Sequence, residues 1–112
     1  MINAEQITGI LSLYKKHGWK LRRVLLCLKS AANLSNDLNN LFGDAEIVES
    51  KVDAVWFSRP SADNNEAWEL RHLSENPYAL VEVFDNEDEE EVREEARKEV
   101  ESRLMATLNT GH

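Results

Sequence analysis

The sequence predicts an α+β domain: an N-terminal helix, an antiparallel sheet built as a meander of about three to four strands, and a long acidic C-terminal helix packed on that sheet. Three observations lead there. Apolar residues recur at helical spacing near the start, at Ile7, Ile10, Leu11 and Tyr14. Between Val52 and Leu73 they alternate with polar residues, the period of a strand. From Asp85 onward acids crowd together with bases following one turn later, the pattern of a solvated helix.

Asn3 suits an N-cap, and Gln6 three residues on completes a capping box, so a helix is predicted over 4–17. Lys15, Lys16 and His17 favour the negative end of its dipole, and Gly18 supplies the left-handed stop. Within Trp19 to Leu28 the run from Arg23 to Leu28 is short and apolar, a pattern that suits a buried strand or a helix, and Gly18 before it and the stretch Ser30 to Asn33 after it favour the strand. Leu34, Leu38 and Leu41 suggest a short helix between Ser30 and Gly43. Asn33, Asn36, Asn39 and Asn40 weaken that helix, which must depend on packing.

From Ala45 the pattern turns to sheet, first around Ile47 and Val48, then as a strand from Val52 to Arg59. Pro60 and the polar loop 61–65 make a turn into a second strand, Glu66 to Leu73. A register with Trp56 opposite Trp68 sets Ala54 against Leu70, Val52 against His72, and Asp53 against Arg71 as a charge pair. Ser74 to Pro77 reads as another turn. Tyr78 to Asp85 is a third strand, apolar on both faces except at Glu82, hence expected to be central or covered by a helix. Asp85 or Asn86 then caps a helix reaching 108, with the stripe Val92, Ala96, Val100, Leu104, Met105 and Leu108. Glu89 with Arg93, Glu94 with Lys98, and Glu99 with Arg103 are expected to pair along it. Thr110, Gly111 and His112 read as a frayed end. The helices together are expected to cover one face of the sheet.

The 112 residues suit a single domain spanning 1–112, and 42% apolar content allows a real core. Cys27 is the sole cysteine, which excludes an internal disulfide and a thiolate zinc site. No apolar run approaches the ~20 residues of a membrane span, and the start carries no secretory signal. The expectation is a soluble, cytoplasmic protein with no membrane contact. Formal net charge is −8, unevenly spread. Residues 1–43 hold six bases against two acids, and the remainder holds seven bases against nineteen acids. Two readings follow: the basic segment binds an anion, or it lies beside the acidic one, which is the more economical.

No catalytic constellation emerges. His17, His72 and His112 have no neighbouring ligands at metal-site spacing, and Cys27 in its apolar run reads as an inert thiol. There is no Gly-x-Ser-x-Gly elbow, and Gly9, Gly18, Gly43 and Gly111 build no phosphate loop. Glu49-Ser50-Lys51 is the Glu-x-Lys part of a metal-dependent nuclease pattern, but Asp44 stands too close upstream to complete it. The acidic stretch 85–91 lacks the glycine of a calcium loop. Trp56 and Trp68 concentrate aromatic area on one sheet face, yet Asp53, Glu66 and Glu69 dilute any basic field there, so nucleic acid is not an expected partner.

These signals lead to a small non-catalytic interaction or regulatory module, a homodimer or the partner of another protein, with no cofactor and no metal. The other reading is a binding domain for a small or anionic ligand, its pocket lined by Arg59, Arg71, His72, Trp56 and Trp68, with Arg22 and Arg23 as further candidates. Arginine suits carboxylate and phosphate because its planar fork is always charged.

Overall fold

Strand β3 (Ala54–Pro60) settles the architecture, because it is apolar on both sides. Val55 and Phe57 are buried toward one face, and Ala54 and Trp56 toward the other. Such a strand must lie inside the sheet with cover on both faces. The computed structural model describes residues 3–74 and 78–110 and has that arrangement. The turn expected through Pro77 and the end at Gly111 and His112 fall outside the described residues.

The order is α1 (Ala4–Lys16), β1 (Lys20–Leu26), α2 (Leu28–Asn33), α3 (Leu38–Phe42), β2 (Glu46–Glu49), β3, β4 (Asn65–His72), β5 (Ala79–Asp85) and α4 (Glu90–Thr110). The five strands lie in the order β2-β1-β3-β4-β5. Strands β3, β4 and β5 form the expected antiparallel meander, and β1 is antiparallel to β3. The sheet is nevertheless mixed, since β2 runs parallel to β1 through the crossover α2–α3. No helix among the described residues is long and apolar enough to cross a membrane.

Helix α1 starts at the capping box, with the Asn3 side chain accepting from the Gln6 amide at 2.8 Å and Gln6 Oε1 accepting from the Asn3 amide at 2.9 Å. The single helix expected before Gly43 is two short ones, α2 and α3. Leu34 to Asp37 separate them, with the Asp37 amide donating to Leu34 O at 2.8 Å in a turn. Asparagine and serine there favour local turns over helix.

The helices occupy opposite faces, not one. Ile7 of α1, Leu34 and Phe42 pack on Val24, Leu26, Val55, Phe57 and Leu73. Val100 and Leu104 of α4 pack on Leu25, Ala54, Trp56, Trp68, Leu70 and Phe84. In β1 the register slips between Leu21 and Arg23, so Leu21 pairs with Phe57 and Arg23 with Trp56. This bulge sends two residues of equal parity to different faces.

The β3–β4 register differs from expectation by two residues: Trp56 lies opposite Leu70, Ala54 opposite His72 and Val55 opposite Arg71. The turn explains it. Asp63 and Asn64 take positive φ (58° and 63°), and the Asn65 amide donates to Ala62 O at 3.2 Å. The Ser61 amide donates to Asn65 O at 2.8 Å, so the loop holds only Ala62 to Asn64 and is tighter than the five-residue loop read from sequence. A two-residue shift preserves the faces, so Trp56 and Trp68 remain diagonal neighbours, edge to face at 6.1 Å.

Strand β5 is an edge strand rather than a central one, and α4 covers only its Leu80 and Phe84 face. Val81 and Val83 are 54% and 50% exposed on the α1 face, which α1 does not reach. Helix α4 begins at Glu90, later than expected, because Asp85 to Asp88 form a turn in which the Asp88 amide donates to Asp85 O (3.0 Å). Val92 is exposed and drops out of the packing stripe.

Candidate functional site

Charged residues from distant elements meet over α4. Arg23 reaches Glu46 (2.8 Å), Glu94 (3.0 Å) and Glu101 (3.5 Å), so at this point the basic segment does lie beside the acidic one. Burial opposes the charge on Arg23, but Glu46 and Glu94 outweigh it and raise its pKa. Burial likewise opposes ionised Glu94, and Arg97 and Arg23 override it to hold Glu94 below the usual carboxylate range. Arg97 is 1% exposed, bonded to Glu90 and Glu94, and stacked 4.6 Å from the Trp68 ring centre. Arg22 lies 5.1 Å from that ring, and Arg93 joins Glu66 at 3.0 Å. The expected i, i+4 pairs along α4 are not made: Arg93 turns to Glu66 and Arg103 to Glu82 on the sheet, and Lys98 turns to Glu101 within the helix. This cluster locks α4 to the sheet, a structural task.

The five residues expected to line a pocket do not converge. Trp56 is fully buried beneath α4, its Nε1 donating to Glu101 Oε2 at 2.8 Å. Trp68 is also core, donating to Glu66 at 2.6 Å. His72 shares their side of β4, while Arg59 and Arg71 lie on the other. Arg71 is buried and bonds the His72 carbonyl. Burial and then Arg71 lower the His72 pKa, against an opposing pull from Asp53. Asp53 does not pair with Arg71. Its carboxylate accepts from the Cys27 amide (2.9 Å) and Ser30 Oγ (2.5 Å), and Cys27 Sγ donates to Ser30 Oγ at 3.3 Å. That cluster pins the β1–α2 junction to the entry of β3. Among the described residues no three His, Cys, Asp or Glu side chains are placed to hold a metal ion.

Arg59 leads to a more open region. Its guanidinium stacks 4.4 Å from the Trp19 ring and donates to the His17 carbonyl at 3.0 Å. Trp19 is held by the end of α1: Gly18, at φ +85°, donates to Lys15 O (3.1 Å), and the Trp19 amide donates to Tyr14 O (3.0 Å). This is a Schellman closure, and the Tyr14–Trp19 edge contact at 6.1 Å is its apolar clasp. Tyr14 stacks on Phe57 at 4.0 Å and hydrogen-bonds Glu69. Burial, then Glu69, push the Tyr14 hydroxyl well above the ordinary tyrosine pKa, so it stays protonated.

Trp19 divides two cavities. One, of about 340 Å³, is polar and contains Tyr14, His17, Arg59 and Glu69, with exposed Leu13 at its margin. The other, about 400 Å³, is apolar: α1 supplies Leu11 and Lys15, the sheet Leu21 and Phe57, and α3 Leu41, with Lys20 beside Trp19. Sequence reasoning missed Trp19 and Lys15 as a pair. The signal was Gly18 after a helix end, which fixes the next residue over the preceding turn.

The remaining distinctive surface is the β5 edge. The His72 amide donates to Tyr78 O (2.9 Å) and the Asn86 amide to Asn64 O (3.0 Å). Alternation along an antiparallel ladder then turns the backbone groups of Ala79, Val81 and Val83 outward. The Asp85 amide is taken by Asp88 Oδ2 at 3.0 Å, which closes the open stretch at that end. Comparison with known proteins gives no match to a family model, a curated protein or a solved structure.

Proposed function

We propose that the chain is a small, non-catalytic interaction module that joins a second copy of itself along the free edge of β5. One observation carries this: Ala79, Val81 and Val83 present both an outward-facing backbone and exposed apolar side chains on an edge strand. An edge of that kind is a template for strand addition. A twofold pairing centred on Val81 sets Val81 against its own copy and Ala79 against Val83 on one face, and Leu80 against Glu82 on the other. No like charges meet, and Arg103 stands 3.7 Å from Glu82. The opposite edge, β2, offers four residues, of which Glu46 and Glu49 are acidic, and is the poorer template. A cytoplasmic setting, suggested by the lone cysteine, belongs to the same proposal.

Light scattering on a size-exclusion column tests it. The wild-type protein is expected at dimer mass at micromolar concentration, and Val81→Lys at monomer mass with its thermal midpoint unchanged, because Val81 touches no core. Val83→Pro, which removes an outward amide, is a second route to the monomer. A wild-type monomer at those concentrations, or a dimer that survives both substitutions, overturns the reading.

A further inference from the structure

We infer that the apolar cavity beside Trp19 is a binding site for an apolar carboxylate, an alkyl or aryl acid whose tail enters among Leu11, Trp19, Leu21, Leu41 and Phe57 and whose headgroup meets Lys15. Volume is the first argument. About 400 Å³ lies within the range of small-molecule sites and is too large to be a packing defect. The walls are the second: Leu11, Trp19, Leu21 and Leu41 are each only half-buried, so apolar surface stays wet until something covers it.

Charge then selects the class. The charged residues lining the cavity are Lys15 and Lys20, and no carboxylate lines it, in a chain whose net charge is −8. Neither lysine has an ion-pair partner among the described residues, although Arg23, Arg93, Arg97, Lys98 and Arg103 all do. Lys15 stands one helical turn after Leu11 on α1, which places its ammonium above the apolar wall. A neutral hydrocarbon would leave that cation unused, and a cationic amphiphile would be repelled by it. The neighbouring cavity sets Glu69 against Arg59 and His17, so its lining is not of one charge sign. Trp19 is held from the far side by Arg59 and Tyr14, so the wall is rigid before any ligand arrives.

The test follows the three indole N–H cross-peaks of ¹⁵N-labelled protein during titration with decanoate below its micelle concentration. Trp19 is expected to shift and saturate, while Trp56 and Trp68, on the opposite face, hold still. Lys15→Glu is expected to weaken binding about tenfold or more, the equivalent of one lost ion pair and a new repulsion. Leu41→Phe, which narrows the cavity, should also weaken it, and 1-decanol should bind well below decanoate. 3-Phenylpropionate in a parallel titration separates the aryl from the alkyl form of the same chemistry, and saturable binding of either acid supports the site. The inference is overturned if Trp19 does not move with either acid, if all three indoles shift together, or if decanol or Lys15→Glu matches the parent titration. Val81→Lys should leave the titration unchanged, so this result and that for the β5 edge are read separately.

Discussion

Trp56 Nε1 donates to Glu101 Oε2 at 2.8 Å, joining the middle of the sheet to α4 with both residues buried. The same carboxylate faces Arg23 at 3.5 Å and Lys98 at 3.9 Å. Glu101 is thus an acid that the fold can bury because an indole and two bases answer it. Glu101→Ala should cost about 2–4 kcal/mol, since the indole N–H and Arg23 both lose a buried partner. Glu101→Gln, which keeps an acceptor, should cost less. Urea unfolding followed by tryptophan fluorescence measures both.

Arg97 separates two views of buried charge. It is nearly inaccessible, and its Nη1 has no hydrogen-bond partner among the described residues. Replacement by methionine fills similar volume and removes that unmet donor, so Arg97→Met should lie within about 1.5 kcal/mol of the parent. Arg97→Ala, which opens a cavity beside Trp68, should cost about 2–4 kcal/mol. Equal costs for the two would show that the charge itself holds α4.

His72 sets part of the acid limit. Its folded pKa lies below the ordinary 6.5 because of burial and Arg71, so the unfolded chain takes up a proton first as pH falls. Its contribution is complete above pH 6.5 and is lost on acidification below that. Glu94, also lowered, adds a second loss below its ordinary 4.5. Thermal midpoints should therefore fall from pH 7 to pH 5, and His72→Asn should flatten that part of the profile.

Gly18 is the hinge of the Trp19 region. At φ +85° a side chain is strained, although open space surrounds the position. Gly18→Ala should cost about 1 kcal/mol. It should also displace Trp19, read as a changed indole cross-peak with the other two tryptophans unaffected.

Periodicity and capping made the main elements legible, down to the Asn3–Gln6 box. Partnership was less visible. The apolar stretch 78–84 reads as a central or helix-covered strand, and alternation alone does not reveal that it lies at the sheet edge with one face left open. The faces of Trp56 and Trp68 were readable from alternation, but their register depended on the tight turn at Asp63 and Asn64. The expected arginine pocket dissolved because Arg59 and Arg71 take one face of the sheet while Trp56 and Trp68 take the other. Local spacing along α4 also misled. Arg93 and Arg103 had better partners across the fold, and those were written in other elements.

The position of α4 after all five strands bears on how the protein is made. The strands are synthesised before the helix that roofs Trp56, Trp68 and Leu70. During that interval the nascent chain carries an uncovered aromatic surface bounded by unmatched arginines, a target for holding chaperones and for misassociation. A high density of carboxylates on the late helix suits this order of events. It keeps the helix soluble while it emerges and draws it onto Arg23 when it docks. Synthesis at high ionic strength should slow that last docking step, and truncation before Glu90 should yield a chain that is made but recovered in aggregates.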